Sequence, residues 1–148
     1  MEFRYPKHVH FECERCALCC KDTEKRTRKI LLLKEEARRI SDTTLENIGN
    51  FAERTKESEP YVNVMRKHGG ECHFLREGSC SIYEARPIVC RFYPFKLENL
   101  GNDRYIFSYT SECPGIGKGP LLQEPFFKEL FTRFLGTFMT DETHSNAN

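Results

Sequence analysis

Four cysteines fall within eight residues of FECERCALCCKD: Cys13, Cys16, Cys19 and Cys20. Thiols this close together have three common chemistries: disulfide bonding, metal ligation or redox activity. Four more follow at Cys72, Cys80, Cys90 and Cys113. Eight cysteines in 148 residues fall below the roughly 8–10% of a disulfide-stapled scaffold. The opening stretch MEFRYPKHVHFECERC has no apolar h-region, so no export signal is expected. That predicts a cytoplasmic protein, in which thiols stay reduced. Eight is two sets of four, and four thiolates are the usual complement of a zinc ion or an iron–sulfur cluster. All eight cysteines are therefore candidate metal ligands.

The spacing sharpens this reading. In C-x2-C-x2-C, from Cys13 to Cys19, two-residue gaps let a loop wrap a metal while intervening N–H groups turn toward sulfur. A remote Cys-Pro completes the bacterial ferredoxin pattern, and Cys113-Pro114 in SECPGIGKG is such a pair at a longer distance. Cys19 and Cys20 are adjacent, so their side chains should diverge, with Cys20 sent to a different ligand set or left over. Cys72, Cys80 and Cys90 would need a hairpin and a following helix to meet. Taken singly, Cys72 or Cys90 would read as a small buried hydrophobe. The grouping of eight points to metal.

The elements that must position these thiols are short. Residues 1–28 lack periodicity and read as a loop carrying the first cysteines. Ile30 to Leu33 is a buried strand. Lys34 to Ile40 is a charged helix with Ala37 and Ile40 on one face. Ser41 and Asp42 are placed to cap a second helix from Leu45 to Ala52. Residues 53–60, ERTKESEP, form an exposed loop, and Tyr61 to Met65 alternates as a strand does. Gly69-Gly70 and Glu77-Gly78 are turns leading into Cys72 and Cys80. Pro87 suits the first turn of a short helix ending near Cys90. Lys96 to Tyr109 reads as a hairpin folded at Asn99 to Asp103. Phe127, Leu130, Phe131, Phe134, Leu135 and Phe138 recur at helical spacing within Leu121 to Met139, a core-packing helix. The fold class expected is α+β: a small irregular metal-centred domain over residues 1–140, with short hairpins, a C-terminal amphipathic helix and a disordered tail at 141–148.

Three blocks, CERCALCC, CHFLREGSCSIYEARPIVCRFYPF and CPGIGKG, give the chain a family resemblance. It resembles the YkgJ-type cysteine-cluster family, the CxxCxxCC zinc- or iron-chelating domain, from about Cys13 to Gly119. The resemblance implies metal chelation by the cysteines and a distant relation to flagellin lysine N-methylases. Within the middle block, Arg86 and Arg91 flank Cys90 and are expected to offset the charge of a thiolate-ligated centre from just outside its ligands. Tyr83, Phe92, Tyr93 and Phe95 are expected to shield it. Gly115, Gly117 and Gly119 suggest backbone packed closely near the centre, or a turn.

Other residues carry weaker signals. His73, His8 and His10 read as ordinary polar histidines, with eight thiols at hand. Glu35 and Glu36 read as a solvated helix face. The basic run Lys25–Lys29 is diluted by Asp22 and Glu24, and a net charge of +1 gives little reason to expect nucleic acid. No apolar run approaches the roughly 20 residues of a membrane helix. The reading favoured is an iron–sulfur cluster, [4Fe–4S], serving electron transfer or an enzyme, with a redox or protein partner. The alternative is a structural Zn2+ module mediating protein interactions. A methyl-transfer component stands third, on family analogy alone.

Overall fold

The computed structural model describes residues 1–14, 17–56 and 58–146, with side chains as far as Thr137. Cys16, the second cysteine of the N-terminal group, lies outside the described residues. The chain begins with β1 (Glu2–Arg4) and β2 (His10–Phe11), then a 3-10 turn at Leu18–Cys20. Next come β3 (Leu31–Leu32), α1 (Lys34–Thr44), α2 (Ile48–Phe51), β4 (Ala52–Arg54) and β5 (Asn63–Met65). Two small hairpins follow: β6 (Lys67–His68) with β7 (Glu71–Cys72), and β8 (Leu75–Arg76) with β9 (Ser79–Cys80). A second 3-10 turn, Tyr83–Ala85, leads into α3 (Ile88–Phe92). The chain closes with β10 (Phe95–Gly101), β11 (Arg104–Tyr109), β12 (Ile116–Leu121) and α4 (Glu124–Asn146). Helices and short strands are mixed in one α+β arrangement, as the sequence predicts.

Two apolar cores flank α3. One is aromatic. The β10–β11 hairpin, with β1 added in parallel, lays Phe95 and Phe107 against Phe127, Leu130, Phe131 and Phe134 of α4. Phe127 is fully buried; removing a side chain of that size from water contributes about 1.5–3 kcal/mol. Its ring stacks on Tyr5 at 4.9 Å and meets Phe95 edge-on at 5.1 Å. The helical stripe read from the sequence is thus core, through Phe134.

The other core carries the cysteines. A three-stranded sheet in the order β3-β5-β4 packs Leu32, Ala52 and Met65 with Ala37 and Ile40 of α1, Phe51 and Phe74. Cys20, Cys72 and Cys90 are buried members of this same cluster. In α3, Ile88 and Phe92 face the aromatic core while Cys90 faces the cysteine core. A five-residue helix therefore ties the two halves together.

One local expectation is corrected. Ser41 and Asp42 do not cap a second helix, because α1 runs through them to Thr44. The chain reverses at Leu45, which takes a left-handed φ of 62° with its N–H on Ser41 O, and α2 is only Ile48–Phe51.

Glu36 is the buried exception on a charged helix. It is 2% exposed. One carboxylate oxygen accepts the Leu33 N–H at 2.9 Å at the start of α1. The other accepts the Ile88 N–H at 2.6 Å at the start of α3. A single side chain thus satisfies donors that two helix starts leave unpaired. Glu35 instead pairs with Arg38 along α1. The solvated-face reading fails for Glu36, because the pattern KEEARRI carries no mark of a carboxylate turned inward.

Candidate metal centre

Six cysteines, Cys13, Cys19, Cys20, Cys72, Cys80 and Cys90, line one cavity of about 130 Å³. Each reaches it from a different piece of local structure. Cys13 follows β2. Cys19 and Cys20 sit on the first 3-10 turn, which opens at Ala17 in a left-handed conformation, φ 65°. Cys72 ends β7, Cys80 ends β9, and Cys90 is the middle residue of α3. Cys19, Cys20, Cys72, Cys80 and Cys90 form no disulfide. Among the described residues, no three His, Cys, Asp or Glu side chains close around a single point for one ion. The thiols ring a space.

Backbone stitching brings the N-terminal loop to the hairpins. The Asp22 N–H donates to Gly70 O at 2.7 Å. Its carboxylate accepts the Arg28 N–H at 2.6 Å and the Lys67 ammonium at 2.8 Å. Those contacts, the Lys67 bond first, hold the Asp22 carboxyl below the usual carboxylate range. The loop carrying Cys19 and Cys20 is thereby fixed beside β6 and β7, and so beside Cys72. The expected divergence of Cys19 and Cys20 is not observed: their sulfurs are 3.8 Å apart. A 3-10 turn with a left-handed entry curls the pair toward the same side, where an extended strand would have split them.

The thiols do not share one environment. A hydrogen bond from Cys20 lowers Cys19 to about 6, against burial, with help from Arg28 and Arg86. The Cys20 thiol is driven up, first by Cys19, then by Cys80 and burial. Cys80 falls to about 7, chiefly through Cys20 and also through a backbone N–H bond at Ile82. Burial raises Cys72 and takes Cys90 to about 12. The Phe74 N–H donates to Cys72 Sγ at 3.4 Å. N–H···S bonds are thus also found two residues beyond Cys72 and Cys80, in the turns after β7 and β9.

Two arginines attend the thiols. Arg86, a sequence candidate, lines the cavity and draws both Cys19 and Cys80 down. Its guanidinium lies 3.8 Å over the Tyr83 ring and donates to Tyr83 O. Arg91, the other candidate, donates to Glu84 O and faces a separate cavity that also holds Arg39 and Arg133. Arg28 takes the place expected of it. Its Nε donates to Cys19 O at 2.9 Å and its Nη2 to Val89 O at 3.3 Å. It bridges the Cys19 turn to the helix of Cys90. Nothing in the run KRTRK distinguishes Arg28 from its neighbours, so sequence reasoning missed it.

The remaining candidates fall elsewhere. Cys113 is buried but is not among the cavity-lining residues. His73 bonds Glu46 and His68, both at 3.0 Å, and His10 bonds Gly119 O at 2.9 Å. Two glycines of GIGKG, Gly115 and Gly119, press on Phe11 and Glu12 just before Cys13, while Gly117 meets nothing within 4 Å. A side-chain carbon at Gly119, where φ is 76°, would lie 2.6 Å from Glu12 Cβ, and one at Gly115 would overlap Glu12 O. The stretch is closely packed against Phe11 and Glu12, and none of its glycines lines the thiol cavity.

The fold and its thiol-lined cavity define a small cysteine-rich domain built to gather many soft donors. The chain belongs to the CxxCxxCC family, described as a putative zinc- or iron-chelating domain, whose model matches residues 12–114. That span contains all eight cysteines. No curated protein and no solved structure gives a significant match. No described helix is long and apolar enough to cross a membrane.

Proposed function

We propose that the cavity holds an iron–sulfur cluster, [4Fe–4S] in type, and that the protein serves electron transfer or an enzyme that needs such a centre. The observation carrying this reading is the set of six cysteines around about 130 Å³. A lone zinc ion sits about 2.3 Å from each thiolate and leaves no room between them. A space of about 130 Å³, more than a single ion fills, suits a polynuclear core. The donor set fits: soft sulfur ligands, N–H donors onto sulfur, and apolar surroundings that raise dependence on local charge. Cys19, Cys20, Cys72, Cys80 and Cys90 are the proposed ligand pool, with Cys13 nearest the loop end.

When bound, the cluster would supply one-electron chemistry. The chain's own residues do the rest. Arg28 and Arg86 offset the excess negative charge of thiolate ligation. Met65, Ile82 and Pro87 exclude water from the inner wall. Gly78, Ser79 and Tyr83 line the cavity and are also exposed. A cluster held there would lie beside this exposed edge, where a redox partner could exchange electrons with it.

Protein isolated without oxygen should be brown and contain iron with acid-labile sulfide. Cys90→Ser should lose both. Colourless protein holding one zinc per chain and no sulfide, unchanged by anaerobic reconstitution, would favour the structural zinc module instead.

A further inference from the structure

A second cavity, about 290 Å³, lies against the strand β3, α3 and the start of β10. Its cations are Arg26, Arg28, Lys29 and Lys96, and no acidic side chain is among its lining residues. Arg26 is answered by Glu112 at 2.9 Å, and Lys96 by Glu98 only at 3.9 Å. The Arg28 guanidinium meets the neutral carbonyls of Cys19 and Val89. Among the described residues, neither Arg28 nor Lys29 forms an ion pair. The rest of the wall is mostly apolar, with Leu31, Val89, Phe92 and Leu97 beside the rings of Tyr61 and Tyr93 and the hydroxyl-bearing Thr110. The basic run Lys25–Lys29, which the metal centre uses only through Arg28, is therefore one side of an amphipathic pocket.

A cavity near the lower limit of small-molecule sites, with an apolar floor and the exposed Lys29 and Lys96 at one edge, suits one kind of ligand. Guanidinium and ammonium groups take a phosphate or carboxylate head, and the floor takes an apolar body. We propose that this cavity binds a small amphiphilic anion, with its oxyanion head at Lys29 and Lys96 and its body on Leu31, Val89 and Leu97. This cavity shares no lining residue with the thiol cavity, so its test does not depend on the identity of the metal.

The test uses the full-length metal-loaded protein, calorimetry for affinity and amide hydrogen exchange for location. The probes are octanoate, AMP, adenosine and inorganic phosphate. Octanoate binding points to an aliphatic carboxylate, and AMP binding to an aromatic phosphate; either supports the proposal if protection appears in residues 29–31 and 93–97. Adenosine and inorganic phosphate, each lacking one half of the ligand, should bind at least about tenfold more weakly. The double variant Lys29→Glu/Lys96→Glu alters two exposed side chains, so it keeps its fold and should lose about tenfold or more in affinity. The proposal is overturned if neither octanoate nor AMP binds. It is equally overturned if adenosine matches AMP, if protection maps elsewhere, or if the double variant binds as tightly as the wild type.

Discussion

Substituting Glu36 tests whether one buried carboxylate holds the cysteine helix in place. The side chain is 2% exposed and accepts two backbone N–H groups, from Leu33 at 2.9 Å and Ile88 at 2.6 Å. Glu36→Ala strands both donors inside the protein. Each buried donor left without a partner costs about 1–3 kcal/mol, so the pair should cost about 4 kcal/mol. For a domain of this length, 1 kcal/mol moves Tm by about 2–4 °C, and the expected fall is about 10 °C. Glu36→Gln keeps one oxygen but turns an NH2 group toward the other donor, so its loss should be about half as large. Thermal unfolding by circular dichroism reads both. Glu53→Ala, which removes an exposed pair with Arg66, is the control and should cost less than about 1 kcal/mol. Because the Ile88 N–H is the first donor of α3, metal content should fall with stability in Glu36→Ala. A Glu36→Ala protein melting within about 2 °C of wild type would refute the reasoning, since the lost bonds would then be worth under 1 kcal/mol.

Further outcomes follow from the same geometry. Cys20→Ser and Cys72→Ser should each lose bound metal by elemental analysis, whereas Cys113→Ala, outside the cavity lining, should retain it. In metal-free protein, iodoacetamide labelling of Cys19 should rise through a midpoint near pH 6 and that of Cys80 near pH 7. The thiolate is the nucleophile and forms above each pKa, while Cys90, at about 12, stays unlabelled at neutral pH. A shared midpoint near the ordinary thiol value of 9.0 would contradict that assignment. Gly119→Ala should destabilise by about 1–3 kcal/mol, because its new carbon meets Glu12 at 2.6 Å. Gly49→Ala in α2 meets nothing within 4 Å and should stabilise by about 0.4–1 kcal/mol in the same melts.

Much of this arrangement was legible in the chain. The aromatic stripe of α4 and the hairpin at Phe95–Tyr109 follow from periodicity, which survives wherever one face is buried. The gathering of Cys72, Cys80 and Cys90 was legible from the turn signals at Gly69-Gly70 and Glu77-Gly78. What was not legible depends on tertiary contacts that leave no local trace. Glu36 looks like any solvated carboxylate until α3 presents the Ile88 N–H to it. Arg28 is one of several cations until the Cys19 carbonyl selects it. Arg91 sits beside Cys90 in sequence, but on a helix adjacent residues point about 100° apart, and its side chain leaves toward Glu84. Adjacency alone also misplaces Cys19 and Cys20, because the 3-10 turn brings their sulfurs to 3.8 Å.

If these thiols converge because they share one inorganic centre, anomalous diffraction at the iron edge, from crystals grown without oxygen, should show a peak inside the cavity bounded by Cys19, Cys20, Cys72, Cys80 and Cys90. A peak at the zinc edge alone, or iron lying nearer Cys113 than these five sulfurs, would contradict it.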